Sequence, residues 1–330
     1  MSRFKPAHSP DRAPLRKGGE ADVAAPGIHV LKHLADSVHT QWRSYRKRLK
    51  RCQKHFSEDA VHASRVETRR LLATLELLRA FMPETDLRKA RRALKHHLAV
   101  FGDLRDTQVQ LVYVGRLAGA FPDARSFYDW LRERQARFIR QSRKDIKQVH
   151  TKRLGRRLEE LEQELRRQRK RTTGQQAFVM VRRAMDQAFA RVAQLCRQVR
   201  PGDTQTIHRT RIAFKRFRYM VEALAPLVPA VTPDHRRAMR GYQCMMGDIQ
   251  DMEVLLAALD KFVQEKEVND ASARRLRKEL ARWRQMLIQI YLNAAGRLQR
   301  FWPPPGLRQP TQKRRTKEHE PLSAAARHRR

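Results

Sequence analysis

A basic helical motif occurs twice in this chain, and the second copy is the sharper. It runs from Ile207 to Tyr219 and holds His208, Arg211, Lys215, Arg216 and Arg218. At about 100° per residue, His208, Arg211, Lys215 and Arg218 fall within a wedge of roughly 80° on a helix. Phe217, Val221 and Leu224 take the opposite side. One face is thus suited to a core, while the other lines up cations whose mutual repulsion a polyanion would relieve. The first copy matches it position by position: His62 with His208, Arg65 with Arg211, Arg69 with Lys215, Arg70 with Arg216, all 146 residues apart. A second motif follows in the same order. Gly102-Asp103-Leu104-Arg105-Asp106 recurs 145 residues later as Gly247-Asp248-Ile249-Gln250-Asp251. Two motifs in one order predict an internal duplication.

The charge balance points the same way. Lys and Arg number 72 against 34 Asp and Glu, a formal net charge of +38. That excess calls for a strongly anionic partner: nucleic acid, an anionic membrane surface or another polyphosphate. Ala, Leu, Arg, Gln and Glu dominate, Gly and Pro are sparse in the interior, and no stretch alternates as a strand would. The expected fold class is all-α, with two pseudo-symmetric helical bundles. Three widely spaced cysteines fit a reducing compartment. With no signal-like leader and no long apolar run, a cytoplasmic protein without a transmembrane segment is expected.

Along the chain, residues 1–26 read as a disordered tail and 303–330 as a basic disordered tail. The helical domain spans 27–302, with repeat one about 27–171 and repeat two about 172–302. Ser57, followed by Glu58 and Asp59, is the expected cap of the first motif helix, and Asp203 or Thr204 that of the second. The region from Ala124 to Gln198 reads as a long helical hairpin arm that projects, its tip at Thr172-Thr173-Gly174. Separate helices are expected on either side of Gly247, one carrying Arg240 and one starting near Asp248. The tryptophans fall at core spacing, and His96-His97 reads as incidental. The basic run Arg43 to Arg51 is a solvated face unless a partner is found.

Asp103 with Asp106, and Asp248 with Asp251, share helical faces at i, i+3. They suit either a divalent metal or the orienting of the motif arginines, and the second is favoured because carboxylates pair so readily with guanidinium. There is no HExxH, no nucleotide-cradling glycine motif and no serine-nucleophile motif, so no cofactor and no protein-held metal are expected.

The paired His-x-x-Arg-x-x-x-(Arg/Lys)-Arg and Gly-Asp-x-x-Asp segments resemble the CHAD domain, the conserved histidine α-helical domain. The resemblance covers roughly Ile28 to Trp302. It implies a basic surface or pore that binds inorganic polyphosphate, without catalysis, through His62, Arg65, Arg69, Arg70, His208, Arg211, Lys215, Arg216 and Arg218, with Lys95 and Arg240 in support. It also implies association with polyphosphate or storage-polymer granules. Leu72 stands where the second copy has Arg218, which implies a weaker first half-site. The ExExK motif of the triphosphatase domain fused to some relatives is missing. Two other functions fit the charge: a protein that binds RNA or DNA non-specifically, and a His/Asp metal-dependent phosphohydrolase.

Overall fold

Apolar residues recurring at three and four turn almost every segment into an amphipathic helix. A computed structural model describes residues 29–117, 124–149, 151–266 and 271–304. The two expected tails lie almost wholly outside them. Among the described residues there are ten α-helices and no strand. They are α1 (Val30–His55), α2 (Glu58–Leu78), α3 (Glu84–Val100), α4 (Gly102–Leu117), α5 (Ala124–Asp145), α6 (Thr151–Gln168), α7 (Gly174–Arg197), α8 (Thr204–Leu224), α9 (Pro233–Lys266) and α10 (Ala271–Ala294). The all-α expectation holds. No helix among these residues is long and apolar enough to cross a membrane.

Two cores organise the helices. The larger gathers α1, α2, α3, α6, α7, α8 and the first part of α9 around Leu34, Tyr45, Leu71, Leu75, Phe214 and Phe217. The second joins α4, α5, the rest of α9 and α10 through Phe127, Trp130, Leu255, Leu259, Phe262 and Leu280. Trp42, Trp130 and Trp302 are buried, as core spacing predicts.

Helix ends follow the sequence. Ser57 caps α2 by accepting from the Ala60 amide, and Asp203 caps α8 by accepting from that of Gln205. Thr173 and Gln176 form a reciprocal capping box at the start of α7.

Three expectations need correction. The Ala124–Gln198 region is no projecting arm. The Leu154, Leu158, Leu161 and Leu165 stripe of α6 is buried in the larger core. Gly155 makes the docking close, since a Cβ there would sit 3.0 Å from the Trp42 ring. A helix so apolar along one side gains more by covering α1 than by standing in water. Second, the chain does not break at Gly247: α9 is one helix of 34 residues. Third, His97 is not incidental. It is buried, its Nδ1 is 2.5 Å from the Tyr45 hydroxyl, and the two rings stack. Burial pushes its pKa down to about 4, so the ring is neutral in the core.

Candidate functional site

Helices α2 and α8 carry the two motif copies and pack against each other. Their apolar sides enter the core through Leu71, Leu75, Phe214 and Phe217. Their polar sides therefore meet in one seam, closed by α4 and α9, which bring the paired aspartates. Arg65, Arg69, Arg211 and Lys215 lie within electrostatic reach of one another there, with Arg218 acting on them from beside the seam. His62 and His208 stand at corresponding places on their helices. His62 is within reach of Arg69 and Lys215, and His208 of Arg211 and Lys215.

This gathering acts on several of the charges. Burial, and then Arg69, Arg211, Arg65 and Arg218, push the Lys215 ammonium down to about 6. Burial and the neighbouring Arg69 bring Arg65 to about 10. Both histidines are held below their ordinary value, first by burial, then at His62 by Arg105 and Arg69. At His208 the Gln250 side chain opposes that fall, while Arg211 and Lys215 add to it. The carboxylates on the facing helices are pushed the other way. Burial and Asp251 raise Asp248 to about 6, and burial raises Asp106 and Asp251 despite the arginines beside them.

The aspartates sit among these cations without closing ion pairs on Arg69, Arg211 or Lys215. None of those three has a hydrogen bond or ion pair with a described residue. Arg65 donates from a terminal nitrogen to the Leu98 carbonyl at 2.5 Å. Its Nε, the Nε of Arg211 and Nδ1 of His208 are all buried without a partner. Folded proteins seldom leave such groups unpaired, and these three belong to the two motif helices. Among the described residues, no three His, Cys, Asp or Glu side chains are grouped as a metal site needs.

The remaining sequence-predicted residues lie elsewhere. Arg70 is exposed and paired with Glu67 at 2.6 Å. With Arg240 it lines a small cavity of about 240 Å³ beside Tyr219 and Glu222. Arg216 pairs with Glu76 and lines a cavity of about 640 Å³ between α7 and α8. Arg218 is buried, its Nε donating to Gln243 at 2.8 Å and a terminal nitrogen to Glu222. Its guanidinium also lies over the Tyr219 ring, 4.2 Å from the centroid. Lys95 is exposed on α3 and joins none of these groups.

Sequence reasoning passed over Arg105. It pairs with Glu58 at 2.8 Å and is the foremost charge acting on His62. The second copy has Gln250 at its position, next to His208. The signal was present, since Arg105 stands between the two aspartates of the repeated motif.

The model for the CHAD domain matches residues 33–260. No match was found among curated proteins. Two solved structures share the fold. The crystal structure of the CHAD domain from the plant Ricinus communis has a TM-score of 0.61 at 19% identity, covering 86% of this chain and 96% of its own. PptA from Streptomyces chartreusis has a TM-score of 0.54 at 14% identity, covering 83% of this chain and all of its own.

Proposed function

Because this chain belongs to the CHAD domain family, we propose that the seam between α2 and α8 binds inorganic polyphosphate and does not hydrolyse it. The observation that carries this reading is the unpaired state of Arg69, Arg211 and Lys215 in the middle of a cationic cluster. Such a cluster is costly in the free protein and is stabilised by an anion that enters it. A linear phosphate chain is narrow, flexible and charged at every unit, so one chain can meet both helices. Guanidinium, ammonium and imidazolium all donate to phosphate oxygens. Asp106, Asp248 and Asp251 act on Arg65, Arg105 and Arg211 through space, and so offset part of the cations' mutual repulsion without occupying their donors. Binding of this kind would also place the protein at polyphosphate granules.

The test is direct competition. The purified chain is titrated with tripolyphosphate and long-chain polyphosphate, with RNA as competitor, at physiological salt. Polyphosphate should bind with an affinity that falls log-linearly with salt, and Arg69→Gln with Lys215→Gln should abolish it. Incubation with Mg²⁺ or Mn²⁺ should release no phosphate above a blank. Preference for RNA, or turnover lost on changing Asp106 and Asp251, would replace this reading.

A further inference from the structure

The exposed side of α1 carries a second concentration of positive charge. Between Asp36 and Glu58 the sequence contains no acid. Arg43, Arg46, Lys47, Lys50, Arg51 and Lys54 are all exposed on α1. At about 100° per residue they share an arc of roughly 140°, with Arg43, Lys47, Lys50 and Lys54 in a near-straight row about 16 Å long. The buried face of the same turns holds Trp42, Tyr45, Leu49 and Cys52, so the fold itself fixes which way the row points.

None of the six makes a hydrogen bond or ion pair with a described residue. The last turns of α6, which packs on α1, are treated differently. On α6, Arg166 is held by Glu162 and Asp36, and Arg167 by Glu164. Local repulsion on α1 is therefore left standing where acids neutralise it on a neighbouring helix. The row also leads toward the seam. Lys54 lies in the last turn of α1, Phe56 reverses the chain with a φ of 50°, and α2 begins at once with His62 in its second turn. Arg143 continues the charge across this corner, its guanidinium 5.4 Å from the centroid of the Phe56 ring.

We propose that the α1 row is a second polyanion contact, used by the part of a long phosphate chain that extends beyond the α2–α8 seam. This rests on the polyphosphate reading above. Two contacts on one chain raise avidity without improving either contact, because the second binds at the effective concentration set by the first. The row thus selects for chain length. A short anion satisfies the seam alone, and a long one engages both. The tryptophan and tyrosine of these turns, Trp42 and Tyr45, are buried and offer no base a platform, which favours a bare phosphate chain over a nucleic acid.

The experiment compares the intact chain with a variant carrying Arg43→Gln, Lys47→Gln, Lys50→Gln and Lys54→Gln. These positions are solvent-facing, and an unchanged melting temperature checks that the fold is kept. Tripolyphosphate should bind both proteins equally, while long-chain polyphosphate should bind the variant roughly tenfold or more weakly. An unchanged ratio of long-chain to tripolyphosphate affinity would overturn the proposal, as would an equal loss for both ligands. Loss of RNA binding with long-chain affinity intact would identify the row as a nucleic-acid surface and overturn it too. Failure of the intact chain to bind either phosphate would instead refute the seam reading, so the two failures are distinguishable.

Discussion

Lys215 of α8 faces Arg69 of α2 as an uncompensated like charge, and after burial Arg69 is the strongest influence lowering the Lys215 ammonium to about 6. This has a consequence for stability. In the unfolded chain lysine keeps its proton to about pH 10.4, whereas here it is released near 6. Between those values the unfolded state binds more protons, so this group makes the protein more stable as pH rises. Lys215→Met should remove that rise and increase the melting temperature near neutral pH by about 2 °C or more. The same variant should bind polyphosphate at least roughly tenfold more weakly. A melting temperature that falls would show that Lys215 is stabilised by contacts other than those described.

Binding should tighten as pH falls from about 8 to 6, by roughly tenfold per pH unit for each proton fully coupled to it. The sign follows from the site. His62, His208 and Lys215 all have depressed pKa values in the free protein, and a bound polyanion favours their charged forms. Asp248, raised to about 6, adds in the same direction by losing its negative charge. Replacing both histidines with Gln should reduce the dependence but leave the part due to Lys215 and Asp248. Affinity measured against pH at constant salt checks this, and a double variant with the full slope would make both histidines packing residues.

Arg218 bears on the expected inequality of the two half-sites. Its guanidinium is committed to Gln243 and Glu222 within the protein. Arg218→Leu, which copies Leu72 of the first motif, should cost about 2 kcal/mol of stability by stripping partners from Gln243 and Glu222. Arg240, 3.4 Å from Glu222, softens that loss. Phosphate binding should change less than in Lys215→Met. Denaturant unfolding beside a binding titration separates the two effects, and a large affinity loss at unchanged stability would restore the inequality of the copies.

Much of the fold was legible because helical periodicity needs only local information. The spacing of Phe217, Val221 and Leu224 gave the second motif helix its inner face, and Ser57 and Asp203 marked the starts of both. What depended on a partner helix was not legible. The leucines of α6 reveal an apolar face but not whether α1 covers it. Gly247 signals a break only if the helix cannot run through it, and α9 runs through it. The site divides in the same way. The periodic residues His62, Arg65, Arg69, His208, Arg211 and Lys215 reach one seam, whereas Arg70 and Arg216, one position further round the helix, point into separate cavities. A rotation of about 100° is enough to send an adjacent residue to another face.

Arg105 offers the sharpest test of the seam, because its charge reaches His62 from a different helix. It is the foremost charge holding the His62 ring below its ordinary value, acting beside burial. Arg105→Gln reproduces the residue of the second motif, Gln250, and keeps a polar side chain on α4. With the positive charge gone, the pKa of His62 should rise toward the ordinary imidazole value of about 6.5, while that of His208, whose charged neighbours are Arg211 and Lys215, should stay in place. Imidazole resonances followed by NMR across pH report the two rings separately. Polyphosphate affinity should fall, since one cation has left the cluster, and the salt slope should flatten with it. If His62 keeps its pKa in the variant, burial and the cations of α2 and α8 set it, and α4 has no electrostatic part in the site.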